Sequence, residues 1–376
     1  MKLFKSLLVA PATLGLLAPL SVTANELNLN DVSGYSSSEE IQNISEFNPA
    51  EELAVTNSRV DGLEARFNNF EAGGFSETTT ASFGVDFLVG AVDGATSEVT
   101  TFDYQMGIGL ETSFTGEDSL SATIDIGNAS SAVGGADGLN FDGTSDALVL
   151  DGLTYTFPMG GATVMVGDNT DISAVYSGAC AYSAFTDYMG NCGTGNSVGV
   201  GGNGVTAAMS YAFDSGFTLA GGISSTQIND DDEVTGLLTE EGADTFGIEA
   251  AYSGDSYSVS VAFADAEDTT YWGINGTYAF DFATLSAGVE SADEDGEDTA
   301  TGFMVGLSFA EVGPGSLDVG MGTTGNFADS DTEYYLYEAS YAYPVNDGMT
   351  ITPGVFIREQ DGDDQTGFAV KTSFSF

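Results

Sequence analysis

The chain has 376 residues, with 57 acids against 6 bases, no His and 50 Gly. A net charge of −51 excludes nucleic acid as a partner, because its phosphates would be repelled. The absence of His removes the common catalytic triads and imidazole bases, so no enzyme is expected.

Residues 1–24, "MKLFKSLLVAPATLGLLAPLSVTA", start with Lys2 and Lys5, continue apolar and end on Val22-Thr23-Ala24. This pattern predicts a signal peptide for Sec export, cleaved after Ala24. Its apolar run is too short and too broken by Pro for an anchor. The remaining bases are then Arg59, Arg66, Arg358 and Lys371. Residues 25–48 are polar, rich in Ser and Asn and aperiodic, and read as a flexible tether. Asn48 as N-cap, Pro49 and Glu51 then open a helix over 49–73. Leu53, Thr56, Val60, Leu63, Phe67 and Phe70 alternate at steps of three and four before Gly73-Gly74. Such a stripe predicts a short parallel coiled coil, or an amphipathic helix packed on its own domain.

From Phe75 the helical period gives way to period two. Apolar residues keep one parity in segment after segment, as in Phe83/Val85/Phe87/Val89, Phe246/Ile248/Ala250/Tyr252 and Trp272/Ile274/Gly276/Tyr278/Phe280. Sixteen such segments can be counted, the last being "GFAVKTSFSF". Seven short connectors, among them "GED", "PMGG", "DSG" and "SGDS", alternate with mostly longer, acidic ones such as "ADEDGEDT" and "EQDGDDQT". The fold class predicted is all-β: an antiparallel, 16-stranded transmembrane β-barrel over 75–376, with both ends on the short-turn side.

Alternation alone also fits a soluble sandwich. Three features favour a membrane. The opposite parity is small and polar, as at Gly107, Gly109, Thr206, Ser258 and Gly320, which suits a wet lumen. Aromatics such as Phe157, Phe213, Tyr257, Phe280 and Tyr343 flank the short turns, as in an interfacial girdle. An even strand count closes a sheet, and in lipid only a closed sheet satisfies every backbone polar group. The terminal aromatic, Phe376, matches the C-terminal signature that outer-membrane barrels present to the barrel assembly machinery.

Sixteen strands enclose a channel of water. The longest outer connector, Asp168 to Asn203, holds both cysteines; in an exported chain Cys180 and Cys192 are expected to pair. Folded inward, this loop would be a constriction bearing Asp168, Asp171 and Asp187; otherwise it is a surface loop stiffened by its disulfide. Parity puts Asp86, Asp103, Glu111, Asp125, Glu249, Glu290, Asp318 and Glu338 in the lumen, together with Arg358 and Lys371. Acids outnumber bases there, so cations should be favoured. Arg358 and Lys371 would face the third loop or merely neutralise nearby acids.

Two motifs lead nowhere. "GVGGNG" (199–204) precedes a strand rather than a helix, and "DEDGED" (293–298) lacks the spacing of a Ca²⁺ loop. No cofactor or dedicated metal site is expected. The outer acids either bind Ca²⁺ or Mg²⁺ loosely, bridging lipopolysaccharide, or are an adaptation of the surface to salt.

"NSRVDGLEARFNNFEAGGFSETTT" (57–80), "GACAYSAFTDYMGNC" (178–192) and "YAFDSGFTLAGGIS" (211–224) resemble segments of cyanobacterial outer-membrane porins, particularly the short marine picocyanobacterial type. The resemblance spans about 50–376. It implies a trimeric, water-filled porin for passive diffusion of small ions and solutes, with the helix at 49–73 as a trimeric coiled-coil stalk. Longer relatives carry a surface-layer-homology domain, for which 25–48 is too short. The competing expectations are a plugged structural or adhesive barrel whose acidic loops bind divalent cations, and a carbohydrate-selective porin, which would need lumen aromatics beyond Tyr334 and Phe356.

Overall fold

A computed structural model describes residues 78–376 apart from 96–97, 130–140, 142, 190–203, 227–235, 239–242, 267–268, 297 and 325–332. The signal peptide, the tether, the coiled-coil positions Leu53, Val60, Leu63, Phe67 and Phe70, and Cys192 all lie outside the described residues.

Sixteen strands form in the predicted places. They are β1 (Thr79–Asp93), β2 (Thr101–Thr112), β3 (Ser119–Gly127), β4 (Val149–Met159), β5 (Ala162–Thr170), β6 (Gly204–Ala212), β7 (Phe217–Thr226) and β8 (Ala243–Ser253). They continue as β9 (Tyr257–Ala266), β10 (Thr269–Ala279), β11 (Thr284–Glu294), β12 (Ala300–Val312), β13 (Gly315–Thr323), β14 (Tyr335–Asn346), β15 (Met349–Arg358) and β16 (Gln365–Ser375). Each pairs antiparallel with its neighbours in the chain, and β16 returns to β1, closing a barrel. At 9 to 15 residues, the strands are long enough to cross hydrocarbon when tilted.

The seam is made by the two chain-terminal strands, in register from Gly84↔Ser375 to Asp93↔Thr366. Phe376 lies just past β16 yet exchanges both backbone hydrogen bonds with Phe83, at 2.9 and 3.0 Å, and its ring stacks on Phe83 at 5.7 Å. The last residue therefore extends the ladder rather than dangling from it.

Outward positions are apolar and uncovered. Ala250, Val261, Ile274, Val289 and Phe303 fall in one continuous row across five strands. Ile248 is 55% exposed and Val261 48%. A band this wide and this apolar suits acyl chains, not water. At the short-turn rim the aromatics form contacting chains: Phe217–Tyr252–Tyr257, Tyr278–Phe280–Phe282–Phe309 and Tyr155–Phe157.

Connector lengths differ from expectation in one place. On the long-connector side, β9 and β10 are separated by two residues only, 267–268.

The short turn before β3 is held by one carboxylate. Asp118 Oδ1 accepts from the backbone N–H of Phe114 and Thr115, at 2.9 and 2.7 Å, and from the hydroxyls of Ser113 and Thr115. Its Oδ2 accepts from Tyr155 Oη at 2.8 Å, tying the turn to β4. Burial acts to raise the Asp118 pKa, but the hydrogen bonds outweigh it and hold the carboxyl well below the usual carboxylate range. A depressed folded-state pKa contributes stability that is complete above the unfolded value, near 4, and is lost as pH falls below it. Asp118→Asn should therefore lower the temperature at which the folded band converts on an unheated-versus-heated gel at pH 7. The gap from the native chain should narrow as pH falls from about 4 toward 2. A pH-independent gap would remove the carboxylate from this role.

Candidate functional site on the inward wall

The third outer connector begins at residue 171, after β5. Asp171 caps a single 3₁₀ turn, Ile172–Val175, by accepting from Ser173 N at 2.7 Å and from its hydroxyl. This turn drops Ile172 onto the inward face, where it is fully buried against Met165, Ala208, Ala262 and Ala264 of β5, β6 and β9. From there to Met189 the connector follows the inside of the barrel, and each step has a partner on the wall.

Glu249 on β8 accepts from the N–H groups of Ser177 and Gly178, at 2.7 and 3.1 Å. Thr277 on β10 donates to the Ala179 carbonyl at 2.6 Å, and Ala181 N–H donates to Ser286 Oγ on β11 at 3.0 Å. Tyr182 crosses β12 and β13 by lying where Gly306 and Gly320 have no side chain; a Cβ at either would strike its ring. These two glycines face each other in register. Phe185 sits in the same way over Gly354 on β15 and packs on Leu88 and Ala369, either side of the seam. Met189 ends the described run in a cluster with Val92, Met304, Leu336 and Phe356, and bridges backbone to Thr324.

The strongest attachment is Glu338 on β14. One oxygen accepts from Tyr182 Oη and Phe185 N–H, both at 2.8 Å. The other accepts from Thr186 N–H at 2.9 Å and Thr186 Oγ1 at 2.6 Å. Four donors on one buried carboxylate are charge-assisted bonds in low dielectric, the strong class of hydrogen bond.

The inward acids therefore divide into two groups. Glu249, Glu290, Glu338 and Asp103 are buried, and Glu249 and Glu338 are occupied in holding the connector. Asp86, Glu111, Asp125 and Asp318 keep contact with water. Asp86 accepts from Gln105 Nε2 at 2.9 Å, and Asp318 from the Ser308 hydroxyl. Arg358 does face the third connector: its guanidinium lies 4.0 Å from the Tyr188 ring centroid, and Tyr188 in turn packs edge-on to Phe356. Lys371, inward on β16, is a diagonal neighbour of Asp86 in the seam register.

Asp168 is not in the loop. It belongs to β5, in register with outward Leu153 and exposed on the rim, because the strand continues to Thr170 through an irregular register with Asn169 at a φ of 55°. Asp171 is in the connector, but its Oδ1 caps the 3₁₀ turn. Of the three acids, Asp187 alone stands exposed on the inner run, and burial within the barrel pushes its carboxyl up.

Sequence reasoning did not find Tyr182, Phe185, Tyr188 or Met189, nor their seats Gly306, Gly320 and Gly354. The available signal was the concentration of inward glycines on β12, β13 and β15, which reads equally well as a wet wall. Beside the start of the connector, Ser121, Thr123, Gly152 and Thr154 with Asp151 and Asp171 line a recess of about 270 Å³.

No family model matches the chain. An uncharacterized protein of Nostoc sp. (strain PCC 7120) is 25% identical over 403 residues, covering 86% of this chain and 70% of that one. Among solved structures, OprB of Pseudomonas putida superposes with a TM-score of 0.62 at 13% identity, covering 80% of this chain and 94% of its own. A mutant porin of Rh. blastica gives 0.55 at 18% identity, with 79% and 100% covered. OmpT of Vibrio cholerae lacking loop L8, an outer membrane protein, gives 0.56 at 10% identity, with 80% and 99% covered. At these identities the likeness establishes the shared barrel fold.

Removing the Glu338 carboxylate leaves four donors without their acceptor. Glu338→Ala should loosen residues 182–189 by about 3 kcal/mol, roughly 100-fold in amide exchange at Phe185 and Thr186, with Glu338→Gln intermediate. Unchanged exchange in both variants would show that packing alone holds the connector.

Proposed function

We propose that the protein is a diffusion channel of the outer membrane, passing small cations and hydrophilic solutes passively, with no chemical step. The observation that carries this reading is the run from Ile172 to Met189, laid along the inner wall of a closed barrel and bonded to it at Glu249, Ser286 and Glu338. Such a run narrows the bore without needing to fill it, since its aromatic side chains turn toward the wall and leave Ser183, Ala184 and Asp187 exposed on the other side. The wall of β2–β4, away from these contacts, is small and polar, with Gly107, Gly109, Thr123 and Thr154 inward.

The charge argument is narrower than a count of acids. Glu249 and Glu338 are spent on connector donors, so selectivity falls to Asp187, Asp86, Asp125, Asp318 and Glu111 against Lys371. Arg358 is held against Tyr188, which limits its weight in the bore. Export through the Sec route, assembly guided by Phe376, a trimer joined by residues 49–73, a Cys180–Cys192 link bracing the connector and divalent bridges from outer acids to lipopolysaccharide complete this reading. The fold shared with OprB, with the Rh. blastica porin and with OmpT supports it.

A planar-bilayer recording tests it directly. A steady open level with a reversal potential of cation sign on a KCl gradient is expected; absence of any open level would favour a plugged barrel. Current blocked by sugars would favour a carbohydrate channel. Because burial raises Asp187, its charge vanishes at a higher pH than an ordinary aspartate, near 4. Cation preference should therefore begin to decline, as the bath is acidified, above the ordinary aspartate range, and Asp187→Asn should show the weaker preference already at pH 7. An Asp187→Asn channel with native selectivity and native pH dependence would take Asp187 out of the bore.

A further inference from the structure

The short-turn rim carries a recess that passage through the bore does not use. The turn between β6 and β7 lies beside the turn between β8 and β9, and Ser253 N–H donates to the Gly216 carbonyl at 3.0 Å, tying the two together. Residues of both turns, with Tyr252, Tyr257 and Tyr278, line a groove of about 680 Å³.

The three tyrosines keep the outward parity. Tyr257 stands opposite Tyr278, in a row that continues to Leu285, and Tyr252 stands opposite Phe217. The Tyr252 and Tyr257 rings lie 5.6 Å apart. Gly254 keeps the space beside them open, since a Cβ there would come within 3.3 Å of both rings. Tyr257 is 50% exposed and Tyr278 46%, so their faces are available at the edge of the apolar band. Each turn adds one exposed acid to the lining, Asp214 and Asp255. The charge of Asp255 is felt at the Tyr252 hydroxyl, so this acid stands on the side of the rings. Serine hydroxyls of the two turns complete the lining.

This combination selects among headgroups. Two carboxylates repel a phosphate or sulfate. Among the described residues the bases are Arg358 and Lys371, on β15 and β16, so nothing in the groove would offset that repulsion. A phospholipid ammonium brings its phosphate with it and meets the same obstacle. An uncharged sugar does not. Its hydroxyls donate to carboxylates in charge-assisted hydrogen bonds, and its C–H face packs on a tyrosine ring.

We propose that this groove binds the sugar headgroup of a neutral glycolipid, whose acyl chains lie along the apolar wall of β7 to β10. The site rests on the barrel's place in a membrane, not on conduction through it. Lipid retention is measured without current, so failure here leaves the channel reading untouched.

The test uses the full chain refolded in detergent with an equimolar mixture of monogalactosyl diacylglycerol, phosphatidylglycerol and phosphatidylethanolamine of matched acyl chains. Native mass spectrometry reads the lipid retained. The galactosyl lipid should be retained in preference to both phospholipids. Asp214→Asn combined with Asp255→Asn should lower that preference by about 10-fold, the loss of two charge-assisted acceptors. Tyr257→Leu should lower it by about 3-fold through the lost ring face. Glu117→Gln, in the short turn between β2 and β3, should leave it unchanged. Equal retention of the three lipids, or a preference for phosphatidylethanolamine, overturns the proposal. So does a native preference in both the double aspartate variant and Tyr257→Leu, which would assign the selection to the charge of the whole chain. Complete displacement of the lipid by an equal concentration of methyl β-galactoside would make the ligand a soluble sugar and overturn the lipid assignment. If the double variant does not fold, Tyr257→Leu and Tyr278→Leu decide, and native preference in both rejects the site.

Discussion

Everything in this molecule depends on closure of the sheet. A backbone N–H or C=O left open in hydrocarbon costs several kcal/mol, so an open edge along β1 or β16 would be untenable in lipid. The seam meets that demand with a register running from Gly84↔Ser375 to Asp93↔Thr366, continued by Phe376 on Phe83. Closure also fixes the sorting of side chains. Once β16 meets β1, alternate residues have no choice but inside or outside, and the Val261–Ile274–Val289 row and the Ser260–Asn275 row part company.

The interior is then a second packing problem, solved with unusual materials. Long side chains on the inner wall would leave no space for a connector, and glycines leave room for one. Tyr182 lies over Gly306 and Gly320, and Phe185 over Gly354, so the chain that enters the barrel brings its own core and the wall supplies the holes. Two carboxylates do the rest. A connector of irregular backbone has unpaired N–H groups, and a glutamate accepts several at once, which is how Glu249 and Glu338 secure Ser177, Gly178, Phe185 and Thr186. The same acids are thereby withdrawn from the field in the bore. An inventory of inward charge therefore overstates the charge left exposed to the interior of the barrel.

The barrel was legible in the chain because period two is a local property: Phe246, Ile248, Ala250 and Tyr252 declare one face without knowledge of any other strand. Turn chemistry is local too, so the short connectors were found. The inward parity of the charged residues followed from the same alternation. Asp168 was misplaced because strand ends have no period to mark them, and β5 runs on through an irregular register to Thr170.

The sequence by itself thus determined how many strands there are, which face of each is apolar and where the chain must close. Only the tertiary structure decided which inward residues meet water and which meet the third connector. That choice depends on pairs such as Tyr182 with Glu338, 156 positions apart, and Ala181 with Ser286, 105 apart. No periodicity spans such distances; they are set when barrel curvature brings β8 through β15 around a segment that leaves β5 and folds inward.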